Sequence, residues 1–121
     1  MRGRIGHQCS ALLTPDEKLE KELRAIGESS GDYLWPLPMW EEYTDDVKGS
    51  VGDVLNASRK REAGTIDGGM FLYQFAKKFP LWAHIDIAST MTGAPDQLLA
   101  KGSSGTAVRL LVELARTWKV R

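Results

Sequence analysis

At 121 residues the chain suits one small domain, and its 42% apolar and 8% aromatic content excludes a disordered polar tail. Sixteen basic and sixteen acidic residues cancel, which argues against nucleic acid or a membrane surface as partner, since both draw on a basic excess. Cys9 is the single cysteine, so no intrachain disulfide forms and a reducing cytoplasm is the expected setting.

Met1-Arg2-Gly3-Arg4 is followed by no long apolar stretch, so no signal peptide is expected. No apolar run nears the roughly 20 residues that span a bilayer. Ile5 to Leu13 reads as a short strand or an irregular entry. Thr14-Pro15-Asp16-Glu17 is a helix start: Thr14 caps, Pro15 takes the first helical position and Glu17 completes a capping box. Leu19, Leu23 and Ile26 then share one face. Gly27 to Gly31 ends that helix. Two prolines keep Asp32 to Pro38 out of helix. A short helix follows from about Met39 to Val47, with Trp40 and Tyr43 on one side, and Lys48 to Arg61 reads as a polar loop.

Gly64 introduces a long helix, roughly Thr65 to Lys78, with Ile66, Met70, Phe71 and Phe75 as its buried stripe. Gly68-Gly69 inside it costs about 1 kcal/mol each relative to Ala, so another backbone is expected to pack closely there. Leu81 to Ala88 forms a strand with apolar residues on both faces, as in a strand covered on both sides. Thr92 to Ser104 is a loop. The last helix runs from about Gly105 to Trp118, with Val108, Leu111, Val112, Ala115 and Trp118 at i, i+3, i+4, i+7 and i+10 on one face. Amphipathic helices with one two-faced strand want a larger sheet to pack on, so the pattern reads as a piece of an α/β domain.

Candidate chemistry is sparse. His84 and Asp86 share one strand face; they read as a polar pair buried and hydrogen-bonded inside the parent domain in preference to a metal pair, because two-metal sites need several converging ligands. Glu41, Glu42, Asp45 and Asp46 read as a solvated helix surface. Lys101-Gly102-Ser103-Ser104-Gly105-Thr106 reads as a helix-start turn, with anion binding at the helix N-terminus as the alternative. It lacks the ending of a phosphate loop. Arg59-Lys60-Arg61 reads as a solvated basic cluster.

Five segments in order resemble the leucyl (cytosol) aminopeptidases. Leu34-Trp35-Pro36-Leu37-Pro38-Met39-Trp40-Glu41-Glu42-Tyr43 is similar to the family's Trp-x-Leu-Pro-Leu-Trp-x-Glu-Tyr, and Asp53-Val54-Leu55-Asn56 to its Asp-Leu-Lys-Asn turn. Ala63-Gly64-Thr65-Ile66 with Phe71-Leu72 resembles its Ala-Gly-Ala helix. Trp82-Ala83-His84-Ile85-Asp86-Ile87-Ala88 matches its Trp-Ala-His-Leu-Asp-Ile-Ala strand with one conservative change. Gly102 to Leu111 resembles its Gly-x-x-Gly-x-x-x-Arg-x-Leu helix opening. The family's acidic metal motif, of the type Asn-Thr-Asp-Ala-Glu-Gly-Arg, occurs nowhere in the chain.

The resemblance implies that residues 1–121 are a single partial domain: the C-terminal portion of a three-layer α/β/α zinc-exopeptidase-like catalytic domain, helix-rich with few strands. It implies a metallo-aminopeptidase, a hydrolase that removes leucine-like N-terminal residues from peptides with two divalent ions, zinc or manganese, in a cytoplasmic homohexamer. By resemblance Ala88 and Met91 line the pocket for the N-terminal side chain, and Ala57 lies beside the next substrate position. The resemblance assigns no catalytic residue and no metal ligand to this chain, which is expected to be inactive alone. The alternatives are a non-catalytic module that self-associates or binds a partner through its apolar helix faces, and a chain complemented by a separate one carrying the metal site.

Overall fold

The computed structural model describes residues 8–47, 63–91 and 102–119. Their elements, in order, are β1 (Ser10–Leu13), α1 (Glu17–Ser30), β2 (Leu34–Pro36), α2 (Glu42–Asp46), α3 (Gly64–Ala76), β3 (His84–Asp86) and α4 (Val108–Thr117). The expected loop at 48–61 lies outside the described residues, as do Ala57, the basic cluster at Arg59 to Arg61, the Asp53 to Asn56 turn and most of the loop from Thr92.

The three strands form one sheet in the order β2-β1-β3. β1 runs parallel to β2, with Ser10 opposite Leu34, and antiparallel to β3, with Leu12 opposite Ile85. The expectation of too few strands for a sheet is therefore corrected: three short strands from distant segments supply one. Pro36 is tolerated because β2 lies at the sheet edge among the described strands, and the next amide, Leu37 N–H, donates to the Leu12 carbonyl at 2.8 Å.

All four residues of β1 are buried, and they alternate between two faces. On one face Leu12 packs with Leu19 and Leu23 of α1, Leu34 of β2 and Leu110 of α4. On the other, Leu13 meets Gly69 of α3, where an added Cβ would sit 2.8 Å from a Leu13 methyl carbon. α1 and α4 thus cover one side of the sheet and α3 the other, giving three layers. The close approach expected at Gly68-Gly69 is found at Gly69; Gly68 has nothing within 4 Å.

The helix ends correct two expectations. α1 is capped by Asp16, whose carboxylate accepts from the Leu19 amide at 2.6 Å. Thr14 is not the cap because α1 begins only at Glu17; its hydroxyl donates to the Trp82 carbonyl at 2.7 Å and accepts from the Asp16 amide at 3.2 Å. Gly27 lies within α1, and the helix stops at Gly31, whose φ of 77° takes the left-handed form. A Cβ at Gly27 would come within 2.9 Å of the Asp32 carbonyl oxygen, so this glycine lets the chain double back closely over the helix. α2 covers only Glu42–Asp46 of the expected 39–47, with Trp40 stacked on Tyr43 at 6.0 Å.

In α3 the buried residues are Asp67, Gly69 and Met70. Phe75, expected inside, is 66% exposed and meets Phe71 edge-on at 5.3 Å. β3 is shorter than the expected 81–88. Its neighbourhood is two-faced as expected: Leu81, Ala83 and Ile85 pack toward the leucine core, while Trp82 meets Tyr73 of α3.

α4 buries a narrower face than its apolar spacing picks out. Leu110 is fully buried and Leu114 packs against the core. Val108, Leu111 and Val112 are 58%, 53% and 53% exposed, and Ala115 and Trp118 are exposed too. The residue that orients the helix is Asp32, just past α1. Its buried carboxylate accepts from the Leu110 amide at 3.1 Å and from the Arg109 guanidinium at 3.0 Å. Among the described residues no helix is long and apolar enough to cross a membrane.

Candidate substrate-side turn

At the end of β3 the chain makes a tight turn through Ile87 to Met91. Asp86 starts it: its carboxylate accepts from the Ala88 amide at 2.9 Å, the local side-chain bond by which an Asp favours a turn over continued strand. The Ile87 carbonyl then accepts from the amides of Thr90 and Met91, each at 3.0 Å. Ala88 is exposed and Met91 is 51% exposed. The structure thus brings two of the three expected pocket residues, Ala88 and Met91, onto one solvent-facing turn; the third, Ala57, lies outside the described residues.

The turn is tied to two distant segments. From the start of β1, Ser10 Oγ pairs with Thr90 Oγ1 at 2.9 Å, and the Cys9 carbonyl accepts from Ser89 Oγ at 3.2 Å. From the segment leading into α4, Ser104 Oγ and Thr106 Oγ1 both donate to the Thr90 carbonyl, the latter at 2.7 Å. The Ser104 amide donates to the Met91 carbonyl at 3.1 Å. A polar cavity of about 90 Å³ lies where these segments meet, lined by Ser10, Asp32, Thr90, Ser104, Thr106 and Arg109 among others. A larger groove between α1 and α4, about 510 Å³, shares no lining residue with it.

These contacts favour the helix-start reading of Gly102 to Thr106 over anion binding. Ser103 accepts from the Gly105 amide at 3.4 Å, and Ser104 and Thr106 are turned onto Thr90. Lys101 lies outside the described residues. The acidic residues Glu41, Glu42 and Asp45 are exposed, as a solvated surface requires. Sequence reasoning missed both Asp32 and the hydroxyl pair, since each acts on a segment far along the chain. The available signal was local: a run of hydroxyl residues ahead of a helix, and an acid directly after a helix-ending glycine.

In this chain His84 and Asp86 make separate contacts, and the expectation of a buried pair concerns the parent domain. Both are half-buried; Asp86 serves the Ala88 amide, and the His84 ring stacks on Trp82 at 6.3 Å. Burial pushes the His84 pKa below its ordinary 6.5, against an opposing pull from Asp86. A base with a lowered folded pKa stabilises the fold while neutral, above its unfolded value, and loses that contribution as pH falls through the folded value. Thermal midpoints are therefore expected to drop as pH falls from 7.5 through 6.5 and below, and His84→Gln is expected to flatten that part of the profile. An unchanged slope in the variant would contradict this account of His84.

The described residues do not fit a metal site. No three of their His, Cys, Asp and Glu side chains are grouped to hold an ion, and two-metal chemistry needs several such donors. What the turn offers is an apolar, adaptable Met beside a small Ala, surfaces that recognise side-chain shape.

Over residues 1–112 the chain matches the cytosol aminopeptidase family, catalytic domain. It is 40% identical over 113 residues to a probable cytosol aminopeptidase of Geobacter sp. (strain M21), covering 93% of this chain and 23% of that protein. A probable cytosol aminopeptidase of Chlorobaculum tepidum is 40% identical over 94% of this chain and 22% of its own length. Among solved structures, the bottromycin maturation enzyme BotP in complex with Mn superposes with a TM-score of 0.84 at 32% identity, over 93% of this chain and 25% of BotP. A tomato leucine aminopeptidase mutant gives 0.78 at 32% identity, over 88% and 20%. The chain thus spans less than a quarter of the length of these curated relatives.

Proposed function

The chain belongs to the cytosol aminopeptidase family, and from that membership we propose that it forms the substrate-side portion of a metal-dependent aminopeptidase acting on leucine-like N-terminal residues of peptides. The observation that carries this reading is the tethered turn after β3, which presents Ala88 and Met91 together to solvent. A held methionine beside a small residue accepts branched aliphatic side chains without demanding one shape. Two divalent ions, zinc or manganese, would polarise the peptide carbonyl and activate water, on residues supplied beyond this chain. Ala57 would lie beside the following substrate residue. The cytosolic setting and a homohexameric assembly belong to the same proposal.

The reading also makes the chain a partial domain. Val108, Leu111 and Val112 of α4 form an apolar stripe open to solvent, and the relatives carry more than three times as much additional chain to cover it. On its own the chain hydrolyses nothing.

The test is a chimera in which this chain replaces the matched segment of the Geobacter relative. Met91→Ala in that chimera is expected to raise KM for a leucyl anilide about tenfold with kcat little changed, the effect of losing about 1.4 kcal/mol of apolar contact. A leucyl KM unmoved by Met91→Ala would remove Met91 from the pocket and the proposal with it.

A further inference from the structure

We infer that Ser104 and Thr106 are positioning residues for substrate selectivity: they clamp the Thr90 carbonyl and so fix the turn that carries Ala88 and Met91. The inference rests on the pocket reading above, and it concerns residues that touch no substrate.

The geometry is specific. Within the turn, the Asp86 carboxylate and the Ile87 carbonyl hold the backbone; neither contact reaches beyond Met91. The next constraint comes from 14 and 16 residues further along, where both hydroxyls converge on one carbonyl oxygen. They also lie 2.6 Å from each other. Each hydroxyl has a single proton, so three contacts share two protons. Whichever hydroxyl donates to the other, at least one proton reaches the Thr90 carbonyl oxygen, and the linked pair holds its orientation. The Thr106 amide donates back to Ser104 Oγ at 3.3 Å, which fixes the position of that hydroxyl oxygen. The Ser104 amide takes the Met91 carbonyl at 3.1 Å, so the methionine's own peptide is held from the same side. Ser10 completes the hold from the sheet, through the Thr90 side chain. An adaptable Met selects among side chains only if its backbone is fixed; otherwise the pocket takes any shape.

The first measurement uses the purified chain with ¹³C-methyl methionine, Met91 being assigned by Met91→Leu among the four methionines. Thr106→Val keeps the side-chain shape and removes the proton donor. It is expected to lower the Met91 methyl order parameter and leave Met70 unchanged, and Thr106→Ser is expected to restore it. If Thr106→Val fails to fold, Ser104→Ala gives the same readout. An unchanged Met91 methyl overturns the inference.

The second measurement uses the Geobacter chimera. Thr106→Val is expected to lower the leucyl over alanyl ratio of kcat/KM about fivefold, the scale of one net hydrogen bond, through KM, with kcat held. If Met91→Ala changes that ratio and Thr106→Val does not, the clamp is overturned while the pocket stands. If neither changes it, the pocket reading fails and the clamp falls with it.

Discussion

Leu110→Ala is expected to destabilise the chain by about 3 kcal/mol, whereas Leu111→Ala beside it is expected to change stability by about 0.5 kcal/mol or less. Leu110 is fully enclosed by Leu12, Leu19, Leu23 and Leu34, and truncating it leaves a cavity at the junction of β1, α1, β2 and α4. Leu111 is more than half exposed. The comparison is decisive because the two residues are chemically identical neighbours on one helix. Denaturant midpoints for both variants, at unchanged m-value, check it. The reverse order would mean that α4 buries its Val108–Leu111–Val112 side.

The second large effect belongs to Asp32. Its two oxygens serve the buried Leu110 amide and the Arg109 guanidinium. The Arg109 side chain is largely solvated, so the ion pair itself contributes little. The amide is the costly partner: without Asp32 the buried Leu110 N–H in the first turn of α4 loses its acceptor. Asp32→Ala is therefore expected to cost about 2 kcal/mol, with Arg109→Ala costing well under half of that. Equal losses from the two variants would show that the ion pair, not the cap, carries the stabilisation.

These two predictions mark the boundary of what could be read from the residues alone. The existence of α1, α3 and α4, the strand around His84 to Asp86 and the non-helical stretch between the prolines follow from period and punctuation, because those signals are local. The face of α4 does not. Its sequence carries two apolar stripes, Leu110 with Leu114 and Val108 with Leu111, Val112 and Ala115, and spacing alone does not choose between them. The narrower one is buried because Asp32, 78 residues earlier, fixes the Leu110 amide. Likewise Thr14 resembles a cap although α1 begins only at Glu17, and the sheet escapes local reading because β2 is three residues long and pairs with β1 across α1. At the turn, Ala88 and Met91 were identified through family resemblance. Their anchors, Ser104 and Thr106, were seen as a helix start and nothing more, since no local pattern links them to Thr90.

The short share of its relatives that the chain spans, and the lack of grouped metal donors among the described residues, underlie the central proposal: the chain supplies the substrate side, and metal ligands come from elsewhere. Metal-dependent release of leucine from leucyl anilide, assayed side by side for the purified chain and for the Geobacter chimera with zinc or manganese, tests that claim most directly. The account predicts turnover by the chimera and none by the chain. Turnover by the chain alone, or a folded, metal-loaded chimera without it, would contradict the account.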